Sequence, residues 1–175
     1  MRAGSIDVNI MSKVDRTNYA KDGTILSEEF SDAKSALRGY AESNLTSSVV
    51  FSAGFNRGLL GHLTKFKDFY RDANGEIKKK IIIKVSDFRS ALIQGKFLAM
   101  KGLEVSEFRI ESGLNCGGHA FASQGYLLPS ILQEFKDKRN QLPKEFIPLI
   151  KSYYEKQNWN FDESNFKYEP LITVQ

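Results

Sequence analysis

The chain has 175 residues, 41% hydrophobic and 26% charged, values typical of a folded globular domain rather than a disordered chain. Lys and Arg total 25 against 21 Asp and Glu, and this formal charge of +4 is too small and too dispersed for a nucleic-acid partner. One cysteine excludes an intrachain disulfide, and no apolar run is long enough to span a membrane, so we expect a cytoplasmic protein without a membrane partner.

Five short apolar runs, rich in β-branched or aromatic residues, predict β-strands. They are Ile6 to Met11, Ser48 to Ala53, Ile81 to Val85, Glu107 to Ile110 and Leu171 to Val174. The third run is continuously apolar, which is typical of a strand covered on both faces. The lysine run Lys78-Lys79-Lys80, which precedes it, is interpreted as a solvated strand entrance.

Apolar residues at helical spacing predict helices between these runs. The predicted helices are Ser31 to Asn44, Asn56 to Phe69, Asp87 to Lys101 and Leu128 to Arg139. Ser31 or Asp32 can cap the first helix, and Gly102 is well placed to end the third. Because strands and helices alternate strictly, the sequence predicts an α/β fold built from parallel (β/α) units.

A longer segment, about residues 140–169, precedes the last strand and is interpreted as a helical insertion or lid. Pro143 and Pro148 should interrupt it, and Glu145 to Lys156 is predicted as a helix within it. The chain begins almost inside its first predicted strand and stops inside its last. We therefore expect residues 1–175 to form one incomplete TIM-barrel domain, an internal fragment of a longer polypeptide.

Polar residues follow the predicted strands where functional residues gather in parallel β/α folds, at the carboxyl ends. They include Asn9, Ser52, Lys84 and Glu111. Lys84 is the most informative, because a lysine inside an apolar strand is costly to bury without an anionic partner. Ser86 and Asp87 lie at the same edge, where an N-cap role is the simpler interpretation.

The segment from Glu111 to His119 ends in Gly117-Gly118-His119. Glycines permit close backbone approach to a ligand, and histidine is suited to proton transfer near neutral pH. The alternative is a tight turn with a surface histidine. Cys116 is interpreted as a small turn residue, and no Cys and His cluster is present to complete a metal site, so we expect no metal.

Taken in order, these motifs resemble those of the nitronate monooxygenases (2-nitropropane dioxygenases) and the flavin-type enoyl-ACP reductases, which are FMN-binding TIM barrels. The matching segments are Val8-Asn9-Ile10-Met11, Val49-Val50-Phe51-Ser52-Ala53-Gly54, Val85-Ser86-Asp87-Phe88-Arg89-Ser90-Ala91, Asn115-Cys116-Gly117-Gly118-His119 and the strand Leu171 to Val174. The likeness covers most of the chain. It departs at Asn115, where the family often has glutamate, and at Lys84, where it often has threonine.

The resemblance implies an FMN-dependent oxidoreductase in which His119 is the catalytic base toward a small carbon-acid substrate. Cofactor-binding positions are then expected at Asn9, Ser52, Lys84, Glu111, Gly117 and Gly118. The phosphate-binding segments of the family are missing from the matched region, so we expect this chain alone to bind FMN weakly or not at all.

Two other functions stay open. One is a TIM-barrel lyase or aldolase without flavin, in which Lys84 forms a Schiff base with a carbonyl substrate. The other is a non-catalytic, barrel-like binding module. A flavin absorbance band would favour the oxidoreductase, and borohydride trapping of a carbonyl substrate would favour the lyase.

Overall fold

A computed structural model describes residues 7–10, 15–111, 128–159 and 166–175 and shows an α/β fold with one five-stranded parallel sheet. The strands are β1 (Val8–Ile10), β2 (Val49–Phe51), β3 (Ile81–Val85), β4 (Val105–Ile110) and β5 (Leu171–Val174). The α-helices are α1 (Asp32–Glu42), α2 (Arg57–His62), α3 (Phe88–Ala99), α4 (Leu128–Lys138) and α5 (Gln141–Lys156). Within these described ranges, no helix is long and apolar enough to cross a membrane.

The sheet has the order β1-β2-β3-β4-β5, and every neighbouring pair is parallel. The predicted parallel sheet is therefore confirmed, and β3 and β5 have the predicted bounds. Each strand lies beside its sequence neighbour, and parallel crossovers are almost always right-handed. An unreversed strand order therefore brings successive connections to the same side of the sheet.

The hydrophobic core lies between one face of the sheet and the buried stripes of the helices. Side chains alternate along a strand, and Ile81, Ile83 and Val85 of β3 all enter this core. The helices contribute Leu37, Tyr40, Leu59, Leu60, Ala91, Leu98, Ile131, Phe135, Phe146 and Ile150. The alternate residues of the strands point to the opposite face, away from the helix-side core.

The predicted cap residues of α3 are confirmed. Asp87 is the N-cap, where its carboxylate accepts a hydrogen bond of 2.6 Å from the Ser90 amide. Gly102 follows the helix with φ +72, a left-handed conformation that glycine adopts without steric cost. The Ser86 hydroxyl donates a 3.2 Å hydrogen bond to the Asp87 carboxylate, so the N-cap interpretation of this pair holds, with Asp87 as the cap.

Helix α1 is capped by a residue that the sequence did not identify. Neither Ser31 nor Asp32 caps it directly. Instead, Asp15 accepts hydrogen bonds from the Ala33 amide at 2.9 Å and from the Ser31 hydroxyl at 2.8 Å. Asp15 lies well before the helix in the chain, so a search for caps next to the helix start missed it.

The second predicted helix is shorter than expected. Helix α2 covers six residues and is followed by two 3-10 turns, Leu63–Lys65 and Lys67–Phe69. Phe66 between these turns has an extended backbone, so the helical path ends there. Two glycines inside α2 also weaken its helix propensity, and the break lets Phe69 enter the core.

Helix α5 starts earlier than predicted and continues through Pro148, so the expectation that the two prolines would break it is wrong. Pro143 lies in the first turn, where a missing amide is not needed. Phe146 and Ile150 are buried, and α5 packs against α3. Helix α5, which lies within the predicted insertion about residues 140–169, is therefore one of the helices that cover the core.

The interpretation of Lys78-Lys79-Lys80 as a solvated strand entrance is wrong for Lys79. Its side chain is fully buried rather than solvated, and its ammonium donates 2.8 Å hydrogen bonds to the carbonyls of Tyr40 and Ser43. These carbonyls lie at the end of α1, where the helix dipole favours a cation. The ammonium also lies 4.7 Å from the centre of the Tyr40 ring. Burial lowers the pKa of Lys79.

Replacing Gly95 should test the contact between α3 and α5. A Cβ at this position would overlap the Phe146 ring and lie 3.1 Å from Phe108. We expect Gly95→Ala to lower the free energy of unfolding by about 1–3 kcal/mol, as overpacking does. The control is Gly39→Ala in α1, where an added Cβ meets nothing within 4 Å and should stabilise the helix. Urea denaturation measures both, and equal effects would contradict this packing.

His62 should make stability depend on pH. Burial lowers its pKa, and the nearby Lys65, Lys34 and Arg38 add to this effect. The unfolded chain, with an ordinary histidine pKa of about 6.5, then binds the proton first, so stability is lost as the pH falls below about 6.5. Urea denaturation between about pH 7.5 and 5.5 should show this loss, and His62→Phe should reduce it. Parallel pH profiles for the two proteins would exclude His62 as the cause.

Candidate functional site

The sheet face turned away from the helix-side core is polar. In β4, Glu107 and Arg109 alternate with the core residues Phe108 and Ile110. In β3, Lys84 is the register partner of Arg109, so the two cations are neighbours on the same face. We call this surface the polar face.

A long-range ion pair crosses the polar face from β1 to β4. Asp7 directly precedes β1, and its carboxylate lies 3.9 Å from the guanidinium of Arg109. In a flat sheet, three strand spacings of about 4.8 Å would separate these two strands by roughly 14 Å. The Arg109 side chain must therefore lie across the face toward β1.

Lys84 and Glu111 form a buried ion pair at the carboxyl edge of the polar face. Nζ of Lys84 lies 2.5 Å from Oε1 of Glu111, and the two side chains are 9% and 5% exposed. Glu111 is thus the anionic partner that Lys84 was expected to need, and Lys84 points away from the helix layer. Phe51 pairs with Ile83, so Ser52, which is also buried, follows on the strand beside Lys84. The structure thus brings three predicted site residues to one edge.

Glu107 connects β4 to β5 on the same face. Its carboxylate accepts hydrogen bonds from Arg109 Nε at 2.8 Å and from the Thr173 hydroxyl of β5 at 2.5 Å. Sequence reasoning missed these residues as part of the site. The signal was the period of two in β4, where charged and apolar side chains alternate.

Asn9 lies on the polar face but not beside Lys84. It is exposed and pairs with Val50, which in turn pairs with Ile82. Asn9 is therefore level with Ile82, two residues nearer the amino edge than Lys84, and it lies two strands away from Lys84. Any ligand that touches both residues must extend across the face.

The predicted base His119 lies outside the described residues, as do Gly117, Gly118 and Cys116. Their expected position above the carboxyl edge stays a prediction. Among the residues that the structure describes, no group of three His, Cys, Asp or Glu side chains is arranged to hold a metal ion.

The amino edge of the sheet carries a cavity of about 930 Å³ that the sequence did not indicate. Its walls include the turn of residues 72–77, the chain before β5, and the ion pair of Arg71 with Glu104. Burial raises the pKa of Glu104, and the hydrogen bonds from Arg71 oppose this change. The cavity lies at the opposite edge from Lys84, where barrel folds keep residues that serve stability.

Comparisons with protein families, curated proteins and solved structures found no match to this chain. The fold class therefore rests on the strand order and the core. The expected FMN cofactor and oxidoreductase activity stay predictions from the motif resemblance.

Breaking the Lys84–Glu111 pair from one side should destabilise the protein strongly. Removal of one partner leaves the other charge buried and uncompensated, so Lys84→Met or Glu111→Leu should each cost about 3–5 kcal/mol. The double variant should recover most of this loss, because apolar replacement of a buried pair is often nearly neutral. A double-mutant cycle by urea denaturation measures the coupling, and additive losses would show that the pair is not formed.

Proposed function

We propose that this chain forms part of a (β/α) barrel and that the protein containing it is an FMN-dependent oxidoreductase similar to the nitronate monooxygenases. The observation that carries the proposal is the buried Lys84–Glu111 pair at the carboxyl edge of a face turned away from the helix-side core. Functional groups of barrel enzymes occupy this edge. The proposed substrate is a small carbon acid, and the proposed compartment is the cytoplasm, where a lone cysteine stays reduced.

The strand order supports a barrel over a doubly wound fold. Doubly wound sheets reverse their strand order at a switch point, and ligands bind there. The order β1-β2-β3-β4-β5 has no reversal, as in the wall of a barrel. The Asp7–Arg109 pair lies across the polar face, which in this proposal corresponds to the inside of that wall.

The polar face fits the ring of FMN better than its phosphate. A lysine ammonium has three donors, so Lys84 can pair with Glu111 and still donate to a carbonyl at the flavin N1/C2 edge. Asn9 and Ser52 add polar groups to the same face. Arg109 is already held by Glu107 and Asp7, so these contacts do not leave it as an obvious phosphate ligand.

His119 is the proposed catalytic base. It would remove a proton from the carbon acid, and bound FMN would accept the electrons. The chain's own contribution would then be Lys84 as a hydrogen-bond donor to the cofactor and His119 as the group that takes the proton from the substrate. General-base catalysis requires hydrogen-bond reach and a pKa near the operating pH, which histidine provides.

A lyase or aldolase that uses Lys84 as a Schiff base is the second candidate. The amine is at the required edge and buried, which favours this chemistry. Its ion pair with Glu111 favours the oxidoreductase, because Schiff-base formation needs an uncharged amine. A binding module without catalysis is the third candidate.

The two histidines of the chain provide a matched test of the proposed base. In the protein that contains this chain, His119→Ala should slow flavin reduction by a carbon acid by about 100-fold or more, a typical general-base effect. FMN content should stay near the unmodified level. The control His62→Phe should leave the rate unchanged above neutral pH, because His62 packs against Phe66 in the helix layer. Stopped-flow absorbance measures the rate.

Experiments on the same purified protein distinguish the candidate functions. Absence of FMN binding by the complete protein would exclude the oxidoreductase. Borohydride trapping of a carbonyl substrate on Lys84, abolished in Lys84→Met, would establish the lyase instead. An unchanged flavin reduction rate in His119→Ala would remove His119 as the base.

A further inference from the structure

The connection between β1 and α1 contains a short β-hairpin that carries two apolar side chains on one side. Tyr19 and Ile25 form an antiparallel bridge. The hydrogen bonds are made by the residues on either side of this pair, with the Ala20 and Leu26 amides as donors at 2.8 and 2.9 Å. In such a pair the opposite side chains lie close together. Tyr19 and Ile25 are 60% and 67% exposed, and we call them the hairpin patch.

Side-chain and backbone contacts hold this hairpin against the start of α1. The Asn18 amide group donates hydrogen bonds to the Phe30 carbonyl at 2.7 Å and to the Asp32 carboxylate at 2.8 Å. The Arg16 carbonyl accepts a 3.1 Å hydrogen bond from the Asp32 amide. The base of the hairpin is thus fixed, so docking of the hairpin patch would cost less conformational entropy than docking of a free loop.

A second apolar patch lies on the solvent side of α3. Ile93 and Phe97 lie in the helix and Met100 directly follows it, and their spacing places all three side chains on one face. Ile93 and Met100 are 44% and 56% exposed, and Phe97 is half-buried where its ring meets Phe55 at 5.2 Å. We call Ile93, Phe97 and Met100 the α3 patch. Apolar side chains at this spacing are the usual anchors of a docked helix.

The two patches have opposite electrostatic surroundings. Helix α3 contains no Asp or Glu. Arg89 lies one turn before Ile93 on the same face, and Lys101 lies 4.9 Å from the centre of the Phe97 ring. Around the hairpin patch, residues 15–30 contain four acidic and two basic side chains, and two of the acidic side chains pair with lysines of the same chain. Complementary charges therefore favour a contact between the two patches.

The α3 patch is not complementary to itself. In a two-fold contact between two copies of α3, antiparallel helices would place Arg89 of one copy beside Lys101 of the other. Parallel helices would bring each cation close to its own counterpart. Like charges disfavour both arrangements. The hairpin offers apolar side chains in a segment of net negative charge, so it is the better occupant of the α3 patch.

We propose that the protein self-associates head to tail, with the hairpin patch of one copy docked on the α3 patch of the next. Two different surfaces meet in this contact, so it is heterologous and leads to a ring or an open chain of copies rather than to a two-fold dimer. Tyr19 and Ile25 then cover Ile93 and Met100, which removes exposed apolar surface of both copies from water.

Sedimentation velocity of the protein that contains this chain tests the contact, over about 1 to 300 µM, where small interfaces associate. The unchanged protein should show a mass that rises with concentration. Ile25→Lys places a cation opposite the cationic α3 patch, and Ile93→Gln removes an apolar anchor from that patch. Each should weaken association by about tenfold or more. The control Leu45→Ser changes an exposed leucine outside both patches and should have no effect.

A mixture of the two variants distinguishes this contact from any other. The Ile25→Lys copy keeps an intact α3 patch, and the Ile93→Gln copy keeps an intact hairpin patch. An equimolar mixture should therefore form a dimer that grows no further, and this recovery also shows that both variants are folded. The proposal is overturned if the unchanged protein stays monomeric at every concentration, if either variant associates normally, or if the mixture stays monomeric.

Discussion

The structure depends on one constraint, which is that the two faces of the parallel sheet are chemically different. Side chains alternate along each strand, so Ile81, Ile83 and Val85 fill the helix-side core while Lys84 faces the other way. The burial of Lys84 then requires a nearby anion, because an unpaired buried charge would cost several kcal/mol. Glu111 provides it from the end of the neighbouring strand. The fold and the candidate site thus follow from the same alternation.

This difference also explains why the polar face is organised as a network. Charged side chains that are partly buried need partners on neighbouring strands, and each pair fixes the relation of those strands. Arg109 contacts Glu107 within β4 and reaches Asp7 before β1, while Thr173 connects β5 to Glu107. The network therefore links neighbouring strands as well as balancing charge. A face of this kind can orient a ligand only if the ligand replaces or extends existing contacts.

Much of the fold was predictable because it rests on local patterns. The strand β3, the Asp87 cap and the Gly102 stop are each determined by residues that are adjacent in sequence. That Lys84 needs an anionic partner was predictable from the cost of burying its charge, whereas the structure identifies that partner as Glu111. What could not be predicted depends on residues far apart in the chain. Asp15 caps α1 from outside the helix, and Lys79 is buried because the end of α1 happens to lie beside it.

The two edges of the sheet use similar ion pairs for different purposes. At the carboxyl edge, Lys84 and Glu111 form a buried pair on the polar face, where the proposed ligand would lie. At the amino edge, Arg71 and Glu104 connect the turn of residues 72–77 to the chain before β5, and their hydrogen bonds are directed at protein groups. A buried pair is therefore not evidence of function by itself. Its position along the strands decides which interpretation applies.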